Sequence, residues 1–390
     1  MLVYGFAPDK RLSGPRNHSK GRRLSSWSLY TCKGKNQNSL LYFLSFQLVY
    51  TIRVISVSTL AKQCLLMLTV SAMDRKEKLE LALNGELKEG VLCGFWHHFG
   101  EDQLHGASAV KAHLDFYQAT QPDMLKVMNE HMFKINEHIE KPDDWRKISR
   151  IPFHKGPYPA FLDEFKAIRK ALPPDLPLFA TVHGVMVSAY HATEIPGFFS
   201  NPDNMVSRHL REDPESVTTG LDVISDTLIE LCEKLAEAGA DGIYYAALGG
   251  EEHRFSETLF VNYVKRQDKK VIDAINSLGL ISVLHICKEK IRLPLYSGIN
   301  ADIVNWAVHD CPYSLKDGRK HFPGKTLLGG FDDRTGILVE GTKEEITAET
   351  DRIIEEAGKE RLIIGADCTL PGGIEYWRIK TVQDRAHSYR

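Results

Sequence analysis

Eight short apolar runs recur along the chain, and between several of them apolar residues return every three or four positions. The runs are VLCGFW (91–96), LKVMN (125–129), LFATVHG (178–184), GIYYAAL (242–248), ISVLHIC (281–287), IVNWAV (303–308), TLLGGF (326–331) and RLIIGADCTL (361–370). Their length and nearly continuous apolar character predict strands buried on both faces. Between them, LDVISDTLIELCEKLAEAGAD sets Val223, Thr227, Leu228, Leu231 and Leu235 on one helical face and ends at Gly239. TKEEITAETDRIIEEAGKE opens on Thr342 with Glu345 three residues later, a capping box, and closes at Gly358. Buried strands joined by helices predict a parallel sheet covered on its faces. Eight such units predict a closed (β/α)8 TIM barrel, a single α/β domain. An open doubly wound sheet is the runner-up. FWHHFGEDQ after the first run is not GxGxxG, so nothing supports a dinucleotide fold.

Residues 1–72 break this pattern. They hold ten Lys or Arg against the single acid Asp9, in a chain whose formal net charge is −2. Their apolar stretches, SLLYFLSFQLVY and LLMLTVSA, are interrupted by Arg53 and Lys62. No clean run of about eighteen uncharged apolar residues results. A signal anchor and an acid-poor transit peptide compete with the favoured reading, a basic extension with no fold of its own. The segment MDRKEKLELALNGE, from Met73, spaces Leu79, Ala82 and Leu83 as a helix and reads as the natural start of a soluble domain. The expected division is therefore an extension over 1–72 and the barrel over 73–390, with Met73 a candidate initiator.

Composition adds exclusions. With 43% hydrophobic and 26% charged residues in 390, the chain can bury a full core, which excludes disorder, collagen and coiled coil. A pI near 6.8 removes any whole-chain argument for nucleic acid. Charge runs in the barrel such as EEAGKE are short and mixed in sign, so no nucleic-acid or membrane patch is expected there. Seven cysteines, an odd number spread along a long chain, suggest reduced thiols and a cytoplasmic protein rather than a disulfide framework.

Catalytic groups of such a barrel gather where strands end and the following loops begin. Those ends supply His97 and His98, Asn129, His183, Tyr244 and Tyr245, His285 with Cys287, Asn305 with His309 and Asp310, Asp332 with Asp333 and Arg334, and Asp367 with Cys368. Strand exits alone would enrich Asn, Asp and Gly, not His and Cys. His285 and Cys287 are two apart on one strand, so both side chains point to the same face. Cys368, at the end of the eighth run, closes a His-Cys-Cys set suited to zinc with its fourth position open. Cys311 in HDCP is an alternative ligand, and Cys93 and Cys232 are expected in the core. Trp96, Trp145, Trp306 and Trp377 are expected as packing residues, and the polar insertion HIEKPDDWRKISRIPFHKGPY (138–158) as a candidate lid.

Five segments carry a family resemblance: LDFYQATQPDMLKVMNE, AGADGIYYAALGG, VLHIC, GGFDDRTGILVEGTKEEI and RLIIGADCTLP. Through them residues 73–390 resemble the uroporphyrinogen decarboxylase superfamily. It includes haem-pathway decarboxylases and cobalamin-dependent methyltransferases that pass a methyl group to a thiol. The resemblance implies the same barrel that strand counting gives. The HxC-and-distant-Cys pattern of the methyltransferase branch falls on His285, Cys287 and Cys368, implying zinc that activates a thiol. It further implies methylcobalamin on a partner protein, since the chain has no DxHxxG module. The GxxD segment matches Gly329 and Asp332, placing Asp332 in the active site, with His97, His98 and His183 as substrate contacts or proton donors. Arg254, Arg334, Tyr245 and Asn305 are the expected cofactor- or substrate-binding residues. The decarboxylase branch carries RQAGR after its first strand, where this chain has HHFGEDQLHG and no arginine. Decarboxylation of a carboxylated tetrapyrrole is thus the alternative activity. Members often dimerise, so a homodimer is expected.

Overall fold

The computed structural model describes residues 73–193, 201 and 203–390. The expectations for residues 1–72 lie outside the described residues. All eight predicted runs form parallel strands, paired in the order β1-β8-β7-β6-β5-β4-β3-β2. They are β1 (Leu92–Gly94), β2 (Leu125–Val127), β3 (Leu178–His183), β4 (Gly242–Ala247), β5 (Ile281–Ile286), β6 (Ile303–Trp306), β7 (Thr326–Phe331) and β8 (Leu362–Ala366). Pairing of the first strand with the last brings the sheet round into a nearly closed (β/α)8 barrel and excludes the doubly wound alternative. No ladder joins the short β1 and β2 among the described residues. Most strands stop one to four residues before their apolar runs do, because the runs continue into the loops that cover the mouth.

Strand alternation divides the core in two. Val127, Ala180, Val182, Tyr245, Leu284 and Val304 belong to the large layer between strands and helices. Leu92, Met124, Met128, Phe179, Tyr244, Val283, Ile303, Leu328 and Ile363 fill the lumen. The lumen cluster also takes in Leu79 and Ala82 of α1 (Arg75–Asn84), a helix capped by the Asp74 carboxylate on the N–H groups of Lys76 and Glu77. Helix α1 thus packs its Leu79 and Ala82 into the end of the barrel.

Among the covering helices, α2 (Gly106–Thr120), α3 (Tyr158–Ala171), α4 (Val185–Thr193) and α5 (Met205–Glu212) precede the long α6 (Pro214–Glu237). Helix α6 begins before its apolar stripe because Asp213 caps it and Pro214 takes the first turn. After it come α7 (Lys265–Ser277), α8 (Leu315–His321), α9 (Lys343–Ala357) and α10 (Tyr376–Ser388). The capping box of α9 forms as predicted between Thr342 and Glu345. The insertion at 138–158 is anchored: Trp145 is fully buried, its indole N–H donates to His209 Nδ1 at 3.1 Å, and Gly220 of α6 packs against its ring. That packing corrects the expectation of a lid. Among the described residues no helix is long and apolar enough to cross a membrane, and Cys93, Cys232, Cys287, Cys311 and Cys368 are all free thiols.

Gly330, near the mouth end of β7, has φ of +119°, and a Cβ there would lie 2.6 Å from Ile353 Cγ2 of α9. Gly373 has an ordinary φ and open space around it. Gly330→Ala is expected to lower unfolding free energy by about 2–4 kcal/mol and Gly373→Ala by less than about 0.5 kcal/mol, read as urea midpoints at unchanged slope.

Candidate metal and thiol site

The mouth is organised by β5. His285 sits opposite Ala246 of β4 and Asn305 of β6, and the Cys287 N–H continues the ladder to Ala247 O at 3.1 Å. Asn305 is fully buried, and its Nδ2 donates to Leu328 O at 2.8 Å and Ala366 O at 3.1 Å. Those two bonds fix the amide orientation, so Oδ1 faces β4 and β5. There it accepts from Tyr244 Oη at 2.9 Å and from His285 Nδ1 at 2.5 Å. An acceptor opposite Nδ1 assigns the proton of a neutral His285 to that nitrogen and leaves the Nε2 lone pair facing the mouth.

That lone pair meets Cys368 Sγ at 3.4 Å. One donor atom each from His285, Cys287 and Cys368 lies within 4.8 Å of the others. The two thiols are electrostatically linked. Their mutual hydrogen bond is the largest influence on each, pushing Cys287 well above the usual thiol range and drawing Cys368 well below it. Burial opposes the second shift, while His285 and Lys126 assist it. A thiol S–H donated to that lone pair, an imidazolium facing a thiolate, or a cation held between the two would each satisfy the contact. In a tetrahedral zinc centre, sulfur and nitrogen ligands stand about 3.6 Å apart, so the observed separation suits a metal.

The other expected site residues occupy different places. His97 is buried, with Nδ1 on His98 O at 2.8 Å and Nε2 on Tyr376 Oη at 2.9 Å, packed between Phe99 and Phe116. Burial lowers its pKa, and neither ring nitrogen is left for a substrate. His98 lies at the rim, 2.7 Å from Glu130 Oε1. His183 ends β3 with its Nδ1 buried and unpartnered; burial first, then neighbouring His191, push it down to about 3. Asp332 accepts from the N–H groups of Arg334 and Thr335 at 2.8 and 3.1 Å, and from the Thr335 hydroxyl at 2.9 Å. It therefore caps its own turn. Arg254, 2% exposed, makes a two-nitrogen ion pair with Glu251 at 2.7 and 3.0 Å. Arg334 is exposed and bridges Asp310 and Asp333. Tyr245 points outward and donates to Asp268 Oδ1 at 2.7 Å, and its neighbour Tyr244 is the tyrosine in the lumen. Cys311 stands outside the trio, 3.8 Å from Tyr313 O.

The structure adds Lys126 and Glu130 to the strand-end residues and brings Asp333 beside them. Lys126, on the lumen face of β2, is 7% exposed and pushed down to about 8 by burial. Glu130, paired with His98, and Asp333, raised to about 6 by burial and then by Cys368, also face this end of the barrel. The signal for Lys126 was present as one charge inside an apolar run.

The sequence profile described as Uroporphyrinogen decarboxylase (URO-D) matches residues 125–389. The chain belongs to this family. The methylcobamide:CoM methyltransferase of Methanosarcina acetivorans is 24% identical over 248 residues, covering 61% of this chain and 64% of that protein. A uroporphyrinogen decarboxylase of Anaeromyxobacter dehalogenans is 23% identical over 247 residues, covering 62% and 66%. The chain thus spans less than two thirds of the length of these relatives. Among solved structures, a methyltransferase from Methanosarcina mazei superposes with a TM-score of 0.66 at 18% identity, covering 80% of this chain and 98% of that one. A B12-independent methionine synthase from Shewanella gives 0.53 at 13%, covering 76% and 97%. At such identities these two show a shared barrel fold.

Asp268 of this family member has a structural consequence that can be measured. Burial raises its carboxyl to about 7, and its Oδ2 has no hydrogen-bond partner. Between about pH 4 and 7 the folded state keeps a proton that the unfolded state has lost, so this group's contribution to stability falls as pH rises through that window and stays low above it. Asp268→Asn is expected to raise Tm more at pH 8 than at pH 4.5, read by calorimetry. An equal change at both pH values would contradict the buried, proton-holding Asp268.

Proposed function

We propose that this protein transfers a methyl group from a methylated corrinoid to a thiol, with zinc held by His285, Cys287 and Cys368. The observation that carries the reading is the trio itself, with His285 held in the tautomer that aims its Nε2 lone pair at the thiols. The methyltransferase names among relatives support the reaction class. Zinc with three protein ligands leaves a fourth position for a substrate thiol and lowers that thiol's pKa, so that thiolate exists near neutral pH. Asn305 holds His285 in the ligating tautomer, and Tyr244 supports Asn305 from the other side. A methylated corrinoid bound over the mouth would supply the methyl group and keep the carbon–cobalt electron pair, and the acceptor sulfur held at the trio would receive the methyl after giving up its proton to solvent. A partner protein would carry the methylated corrinoid and dock over the mouth.

Decarboxylation of a carboxylated tetrapyrrole is the weaker reading. It needs free cationic clamps for several carboxylates. Arg254 is consumed by Glu251, and Arg334 by Asp310 and Asp333.

Elemental analysis of the purified protein is expected to find about one zinc per chain, absent from a Cys287→Ser/Cys368→Ser variant. A metal-free unaltered protein, or metal retained in that variant, would overturn the reading. Asn305→Leu removes the acceptor behind His285 and is expected to weaken zinc about ten- to a hundredfold in chelator competition. With thiols screened as acceptors, the zinc-loaded protein is expected to demethylate methylcobalamin, followed by the corrinoid absorbance.

A further inference from the structure

The segment HHFGEDQLHG carries histidines at 97, 98 and 105, and folding engages the first two. His97 is taken up by Tyr376 and His98 by Glu130. His105 stands at the N-cap of α2, where Ser, Thr, Asp or Asn would ordinarily accept from the first helical N–H groups. It makes no such bond, and neither of its ring nitrogens has a hydrogen-bond partner among the described residues. The ring lies instead against that of His131, with 4.5 Å between centroids and 55° between planes.

His131 belongs to the loop after β2, where its backbone N–H donates to Asn129 Oδ1 at 3.0 Å. Its Nε2 faces both carboxylate oxygens of Glu164, at 3.1 and 3.0 Å. Glu164, in α3, is 8% exposed, and its Oε1 also accepts from the Gly106 N–H at 2.5 Å. One donor atom each from His105, His131 and Glu164 lies within 4.8 Å of the others. Neither β5 nor the segment after β8, which carry the trio, contributes to this group. Two imidazoles and a carboxylate are a donor set that binds zinc, with neighbouring ligand atoms about 3.4 Å apart in a tetrahedral centre. Glu164 Oε2 accepts only from His131, so it keeps a lone pair for a cation. An ordinary His131–Glu164 ion pair has no need of His105, which brings the third donor.

We propose that His105, His131 and Glu164 form a second zinc site, weaker than the trio, that clasps the loops after β1 and β2 to α3. The inference is independent of the methyl-transfer reading. With no thiolate in the set and one ligand exposed, zinc leaves this site on dialysis and returns when free zinc reaches the micromolar range. The same two loops meet again at the rim through His98 and Glu130. A cation at the second site therefore ties down the loops that frame one side of the mouth.

The test titrates zinc chloride into the purified, dialysed full chain, followed by calorimetry. One further zinc is expected to bind with micromolar Kd. His105→Ala and Glu164→Gln are each expected to weaken it about a hundredfold or more. The glutamine keeps an acceptor for the Gly106 N–H, and should that variant fail to fold, the exposed His105 decides alone. His138→Ala controls for surface binding, since exposed His138 meets Glu140 at 3.1 Å with no third donor beside it, and is expected to change nothing. Added zinc is expected to raise Tm in the unaltered protein and not in His105→Ala. The Cys287→Ser/Cys368→Ser variant is expected to bind this zinc with unchanged affinity, so failure of either site leaves the other standing. Absence of a further zinc, uptake unaltered in His105→Ala, or uptake lost in His138→Ala would each overturn the second site.

Discussion

One buried amide ties together most of what is distinctive at the mouth. Asn305 has four hydrogen-bonding directions and uses all of them: two donated to the backbones of β7 and β8, and two accepted from side chains on β5 and β4. A leucine of similar size would fill the space but orient nothing. Burial makes the arrangement obligatory, since each unpaired amide group would cost about 1–3 kcal/mol. The donated pair determines which end of the amide faces His285, and the accepted pair determines the imidazole tautomer. The barrel's closure is therefore coupled to the chemistry of one histidine nitrogen.

The same coupling explains which features were legible in the sequence. Strand count and barrel class were legible because both depend on buried, nearly continuous apolar runs, which the chain displays openly. His285, Cys287 and Cys368 were legible as a group because a two-residue spacing on a strand dictates a common face. Asn305 was visible as a polar strand end, but its place behind His285, rather than against a ligand, depends on register between β5 and β6. Tyr244, not the expected Tyr245, occupies the lumen, a one-residue shift that reverses the face. Near a strand end, apolar neighbours on both sides do not reveal the phase. His97 and Arg254 look available in sequence, but Tyr376 and Glu251, brought in by folding, consume them.

Charge at the mouth is unevenly committed, and that bears on which chemistry of the family the site favours. The arginines are spent on nearby carboxylates, and His97 and His183 are held neutral by burial. What remains is a compact soft-donor trio and one buried ammonium. A polycarboxylated substrate needs many dispersed cations in fork geometry, whereas a small thiol needs one sulfur-binding centre and at most one counter-charge. The balance of free and engaged charge favours the second.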